Sequence, residues 1–138
     1  PDILSILIGV NDIYSVFEYG HGSSPERYEK IYRLLLEEVV EQNPDTLIVI
    51  MEPFYGVSDN TERDKFIRNN IDFYVDAAKR IVKEYNAVFV PLQDIFDEYA
   101  KHVDIHSLLW DGVHPTTGAH QLIARRWKEC VKERLENR

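Results

Sequence analysis

Short, almost unbroken apolar runs alternate along this chain with longer stretches in which apolar residues return every three or four positions. The short runs cover residues 3–8, 46–51 and 87–90, and each is nearly continuous in apolar side chains, as strands covered on both faces by helices are. The longer stretches predict four helices. One opens at Ser24, with Pro25 suited to a first helical turn, and runs to about Asn43-Pro44 with Tyr28, Ile31, Tyr32, Leu35 and Val39 on its core face. A second spans about Thr61 to Tyr85, with Ile67, Ile71, Tyr74, Ala78, Ile81 and Tyr85 on one stripe. A short third follows Pro91 and carries Leu92, Ile95, Phe96 and Tyr99, and the last begins after Thr116-Thr117 and continues to about Leu135. Strands alternating with helices predict an α/β fold built of βαβ units around a mainly parallel sheet.

With 138 residues the chain suits a single domain, large enough to bury roughly two thirds of the surface its unfolded form exposes. The formal charge of −8 changes the picture of partners, because Lys and Arg are mixed among Asp and Glu and form no basic stripe for phosphates. No nucleic acid is expected, and an uncharged or cationic ligand fits better. The single cysteine, Cys130, rules out an intrachain disulfide framework and leaves the compartment open, leaning towards a reducing, cytoplasmic one. No apolar run reaches the ~20 residues that a membrane-spanning helix needs.

In an open α/β sheet, ligands bind beyond the carboxyl ends of the strands, so residues just past each strand are the first candidates for chemistry. Asn11 and Asp12 stand there after the first strand, in "IGVND", although Asn and Asp are also good turn residues. Glu52 follows the second strand and is a candidate pocket residue. In "LLWDGVHPT", residues 108–116, Asp111 and His114 lie three apart on a loop before the last helix. A carboxylate beside an imidazole accepts its Nδ1–H, fixes the tautomer and leaves Nε2 as a general base. An Asp-Gly turn accounts for the same letters, and a metal site is a rival that lacks a second His at ligand spacing. Trp110 either lines a pocket or wedges under the loop, and His21, His102, His106 and His120 show no acid partner by spacing.

Taken together, "IGVND" and "DGVHP" resemble the third and fifth conserved blocks of the SGNH, or GDSL-type, esterase and lipase family, over almost the whole chain. The resemblance implies a three-layer α/β/α flavodoxin-like sandwich and a serine ester hydrolase, close to the small acyl-hydrolases that include carbohydrate acetylesterases. It implies that Asn11 offers its amide to an oxyanion hole, that Gly9 is the small residue letting the strand end lie close to the site, and that Asp12 orders the turn. His114 matches the general base and Asp111 its orienting acid, with no cofactor and no metal. The substrate would be a small-molecule or carbohydrate ester.

The family's first block, a Gly-Asp-Ser nucleophile, has no counterpart here, and Ser5, Ser15, Ser23, Ser24, Ser58 and Ser107 all lie in other contexts. The expectation is therefore a domain lacking its N-terminal strand, helix and strand, inactive by itself, whose residues Ile3 to Ile8 pair with the absent segment or with a second copy. A non-catalytic α/β interaction module is the alternative, and a thioesterase or lysophospholipase remains open within the family.

Overall fold

The computed structural model describes residues 1–57 and 59–136, so Ser58 lies outside the described residues. Three strands, β1 (Ile3–Ile6), β2 (Leu47–Met51) and β3 (Val88–Val90), are joined through five helices: α1 (Val10–Tyr19), α2 (Pro25–Gln42), α3 (Glu62–Glu84), α4 (Gln93–Tyr99) and α5 (Thr117–Glu136). The sheet is parallel in the order β1-β2-β3, with Ile3 opposite Leu47 and Val49 opposite Val88.

Successive strand residues point to opposite faces, and that alternation makes the layers. Leu47 and Val49 of β2 join Val88 and Val90 of β3 in a core closed by Phe96, Ile123 and Val131 from α4 and α5. Ile48 and Ile50 instead join Ile6 in a core closed by Ile13, Tyr32, Ile71 and Ile81 from α1, α2 and α3. The architecture is thus the expected three-layer α/β/α sandwich with a parallel sheet. Burial of each such aliphatic side chain contributes roughly 1.5–3 kcal/mol.

Several helix ends follow from local chemistry. Ser24 caps α2 by accepting from the Arg27 N–H, and Pro25 takes the first helical position. Thr61 and Asp64 form a reciprocal capping box at the start of α3. Two departures from the sequence reading matter more. β1 ends at Ile6, Leu7 and Ile8 lie outside the strand, and the residues from Val10 that looked like a turn begin a helix, α1, whose Val10, Ile13, Tyr14 and Phe17 hold helical spacing. The switch is made at Gly9, whose φ of 124° is a conformation other residues adopt only with strain. On α2, Tyr28, Tyr32 and Leu36 are buried, whereas Ile31 and Leu35, read as core, are 48% and 44% exposed. The helix carries two apolar stripes, and its rotation against α3 buries one of them.

Among the described residues β1 hydrogen-bonds on one side only, to β2, and just beyond it Leu7 and Ile8 are 40% and 44% exposed. An open strand edge flanked by apolar side chains promotes association. The purified 138-residue chain is therefore expected to sediment as dimers or larger species, and Leu7→Lys to shift it towards monomer. A monomer in the unsubstituted chain, unchanged by Leu7→Lys, would contradict this.

Candidate active site

The loop between the Ile105–Ser107 turn and α5 is closed on itself. Leu109 and Pro115 form an antiparallel bridge, the Trp110 N–H donates to the His114 carbonyl at 3.0 Å, and the Thr116 N–H donates to the Leu108 carbonyl at 2.8 Å. Inside this closure Asp111 makes three contacts: Oδ1 accepts the backbone N–H groups of Val113 and His114 at 3.1 and 2.9 Å, and Oδ2 meets His114 Nδ1 at 2.8 Å. Desolvation raises the Asp111 pKa, but the hydrogen bonds from the His114 backbone and ring and from Val113 outweigh it and hold the carboxyl below the ordinary value. With Asp111 ionised, the shared proton sits on Nδ1 and Nε2 is left to accept.

The loop is also pinned to the segment following β2. The Gly112 carbonyl accepts the Gly56 N–H at 2.8 Å, and at Gly112, whose φ is 88°, a Cβ would stand 2.7 Å from the Gly56 carbonyl oxygen. Only a glycine fits that crossing.

Asn11 stands exposed in the first turn of α1, after Gly9. Gly9 is buried, and a Cβ there would meet Pro53 and the Tyr28 ring at 3.4 Å, an ordinary contact, so its φ of 124° and not lack of space is what favours glycine. Asp12 belongs to the same helical turn rather than to a loop, its N–H donating to the Gly9 carbonyl at 3.1 Å. Asn11, Asp111 and His114 line one cavity of about 220 Å³, together with Tyr14, Tyr55 and Arg63. Asn11 also borders a second, larger and more apolar cavity of about 650 Å³, which runs along Leu7, Ile8, Met51 and Phe54 to His120. The sequence-predicted trio is therefore brought to one end of the sheet.

Tyr55, Arg63 and Asp64 were not singled out from the sequence. The Tyr55 hydroxyl donates to Asp64 Oδ1 at 2.6 Å, while Asp64 Oδ2 accepts the N–H groups of Asp59 and Thr61 at 3.1 and 3.0 Å. Burial, and then the Asp64 carboxylate, push the Tyr55 hydroxyl up to about 12. Burial also works against the Arg63 cation, but the neighbouring Tyr55 and Asp64 more than offset it and raise its pKa. The available signal was the Thr61-x-x-Asp64 spacing of a capping box, inside which Arg63, the residue before Asp64, falls in the first turn of α3 beside the site.

Other candidates lie elsewhere. Glu52 caps α4, its Oε2 accepting the N–H groups of Leu92 and Gln93 at 2.6 and 2.9 Å, so it is held in the frame and not in a pocket. The Trp110 residue is 72% exposed and neither lines the cavity nor wedges under the loop. His102 and His106 have acid neighbours that spacing did not reveal, Glu98 and Asp59, each at 3.6 Å. The Ser107 hydroxyl donates to the Asp104 carbonyl, and the Ser5 hydroxyl accepts from Trp127. Among the described residues no serine lines the cavity of Asn11 and His114, no group of three or more His, Cys, Asp or Glu side chains is placed to hold a metal, and no helix is long and apolar enough to cross a membrane.

Comparison with known proteins gives this geometry a context. The chain is 32% identical over 127 residues to an acetylxylan esterase from Geobacillus stearothermophilus, covering 91% of this chain and 57% of that protein. A crystal structure of that esterase superposes with a TM-score of 0.77 at 31% identity, over 95% of this chain and 59% of the other. A GDSL-like lipase from Parabacteroides merdae superposes with a TM-score of 0.87 at 37% identity, over 96% of this chain and 61% of the other. The chain thus spans about three fifths of the length of the relatives it matches. The sequence profile of the GDSL-like lipase/acylhydrolase family matches residues 1–122, a span that takes in Asn11 at the head of α1 and the Asp111–His114 loop alike, and the chain belongs to that family.

Proposed function

We propose that this domain supplies the acid–base and oxyanion half of a serine ester hydrolase acting on carboxylic esters, O-acetyl carbohydrates among them. The observation that carries the reading is the closed Asp111–His114 pair, joined at 2.8 Å and opening on the cavity that Asn11 borders. The nucleophilic serine is assigned to polypeptide beyond these 138 residues, since the family's Gly-Asp-Ser block is not among them. An acetylated sugar as substrate rests on the acetylxylan esterase relative.

In this mechanism the serine Oγ attacks the ester carbonyl as its proton passes to His114 Nε2. The Asn11 amide donates to the oxygen on which negative charge develops, and a donor of that kind is worth about 10²–10³-fold in kcat. The tetrahedral intermediate collapses to an acyl-serine, and His114 returns the proton to the departing alcohol. Water then repeats the sequence and releases the acid. Asp111 holds the imidazole in its tautomer and stabilises the imidazolium throughout. Every proton is carried by the residues named, so the steps call for no cofactor.

The test uses the 138-residue chain itself. Hydrolysis of p-nitrophenyl acetate by the chain is expected to match that of its His114→Ala variant. Turnover that disappears with His114→Ala would place a nucleophile inside the chain, and Ser107 would be the first to replace. If a polypeptide that adds the Gly-Asp-Ser block were inert towards esters, the interaction-module reading would stand instead.

A further inference from the structure

Arg63 has no part in the acid–base steps, yet it lines the same cavity as Asn11, Asp111 and His114. Its side chain is partly exposed, but its Nε is buried and finds no acceptor among the described residues. The nearest carboxylate oxygen, on Asp64, is 3.9 Å from one Nη, beyond hydrogen-bond reach. Asp64 is already occupied, taking the Tyr55 hydroxyl on one oxygen and the Asp59 and Thr61 N–H groups on the other. A buried donor of a charged group without an acceptor is costly and uncommon in folded proteins. Bordering a cavity large enough for a small ligand, such a donor is satisfied when an acceptor enters.

The charges around it decide what kind of acceptor. Arg63 and Asp64 are adjacent and opposite in sign, Asp111 adds a carboxylate to the wall of the cavity, and the whole chain carries −8. A second carboxylate arriving as ligand would face a local excess of negative charge, whereas a hydroxyl or ring oxygen accepts the hydrogen bond and brings no charge of its own. Building on the hydrolase reading above, we propose that Arg63 is a substrate-binding residue whose Nε–H donates to an oxygen of a neutral sugar in the alcohol half of the ester. The site then favours acetyl esters of polyhydroxyl alcohols over those of plain alkyl alcohols.

Saturation-transfer NMR on the 138-residue chain tests this without turnover. Methyl β-D-xylopyranoside is expected to receive saturation from the protein, to lose affinity about tenfold with Arg63→Gln, and to be matched by no Arg63-dependent signal from 1-propanol. Arg63→Lys keeps the charge but removes Nε, so the same loss is expected there, and this variant carries the test if circular dichroism shows Arg63→Gln unfolded. No binding by the xyloside, binding unchanged in both variants, or a stronger Arg63-dependent signal from D-glucuronate would each overturn the proposal. Because the readout needs no nucleophile, it can fail while ester hydrolysis stands, and hold while hydrolysis fails.

Discussion

In a polypeptide that joins this domain to a Gly-Asp-Ser segment, His114→Ala is expected to lower kcat on p-nitrophenyl acetate by about 10⁶-fold and Asp111→Asn by about 10⁴-fold, the scale seen when base and orienting acid are removed from other serine hydrolases. The two losses have different origins. His114→Ala removes the proton acceptor. Asp111→Asn keeps the loop, because an amide oxygen still accepts the Val113 and His114 N–H groups that Asp111 Oδ1 accepts now. Its NH₂, however, would face Nδ1 where Oδ2 stands at 2.8 Å. The ring would turn to the tautomer with its proton on Nε2, and a base would become a donor. Melting temperature should be nearly unchanged while kcat collapses; retention of more than a tenth of kcat by Asp111→Asn would remove the pair from the mechanism. The lowered Asp111 pKa also has a sign. The carboxylate stays ionised down to its unfolded value of about 3.9, so protonation of Asp111 contributes nothing to any loss of rate between pH 7 and 5.

The largest effect on stability is expected at Asp64, not at any residue of the proposed chemistry. Its residue surface is 0% exposed, and it accepts from the Tyr55 hydroxyl and from the N–H groups of Asp59 and Thr61. Asp64→Ala leaves those donors without acceptors and opens the α3 capping box. A loss of about 3–5 kcal/mol follows from unsatisfied buried donors plus a missing cap. For a domain of this size that is a fall in Tm of about 10 °C or more. The pH dependence gives an independent check. Burial raises the Asp64 pKa, but the bonds from Tyr55, Thr61 and Asp59 lower it further, leaving a net depression. A depressed carboxylate stabilises the fold above its unfolded pKa of about 3.9 and loses that contribution as pH falls through the folded value. The Tm gap between the parent and Asp64→Ala should therefore be full at pH 6 and narrow steadily below pH 4. A gap of less than 2 °C at pH 6 would show that the cluster is dispensable.

Elements whose apolar spacing was sustained were legible from the sequence, and so were those marked by caps. α2 begins at the Ser24-Pro25 signal, α3 sits inside the Thr61 and Tyr85 caps, and the three strands fall within one or two residues of their apolar runs. α1 was hidden because its first turn carries the polar pair Asn11 and Asp12, and two polar residues so soon after a glycine are the letters of a turn. Ile31 and Leu35 were misplaced for a different reason. A helix with two apolar stripes does not announce which one faces α3, and only packing against Tyr74 and Ile81 chooses Tyr28, Tyr32 and Leu36. In the site, Asp111 and His114 were readable because they stand only three positions apart, whereas Arg63 and Tyr55 reach the same cavity from elements far from them in the chain.

The self-closure of the loop from Leu109 to Pro115 has a thermodynamic consequence for how this fold assembles chemistry. The imidazole's carboxylate contact is fixed within the seven residues from Leu109 to Pro115, and the Gly56–Gly112 hydrogen bond fastens that unit to the segment following β2. Under the proposed mechanism, the orientational entropy of the Asp111–His114 pair is spent during folding of this domain and not on arrival of a serine. A nucleophile delivered on a separate polypeptide would need only to dock against β1 to meet a base already aligned, which makes a two-piece, reconstituted hydrolase a chemically sensible object.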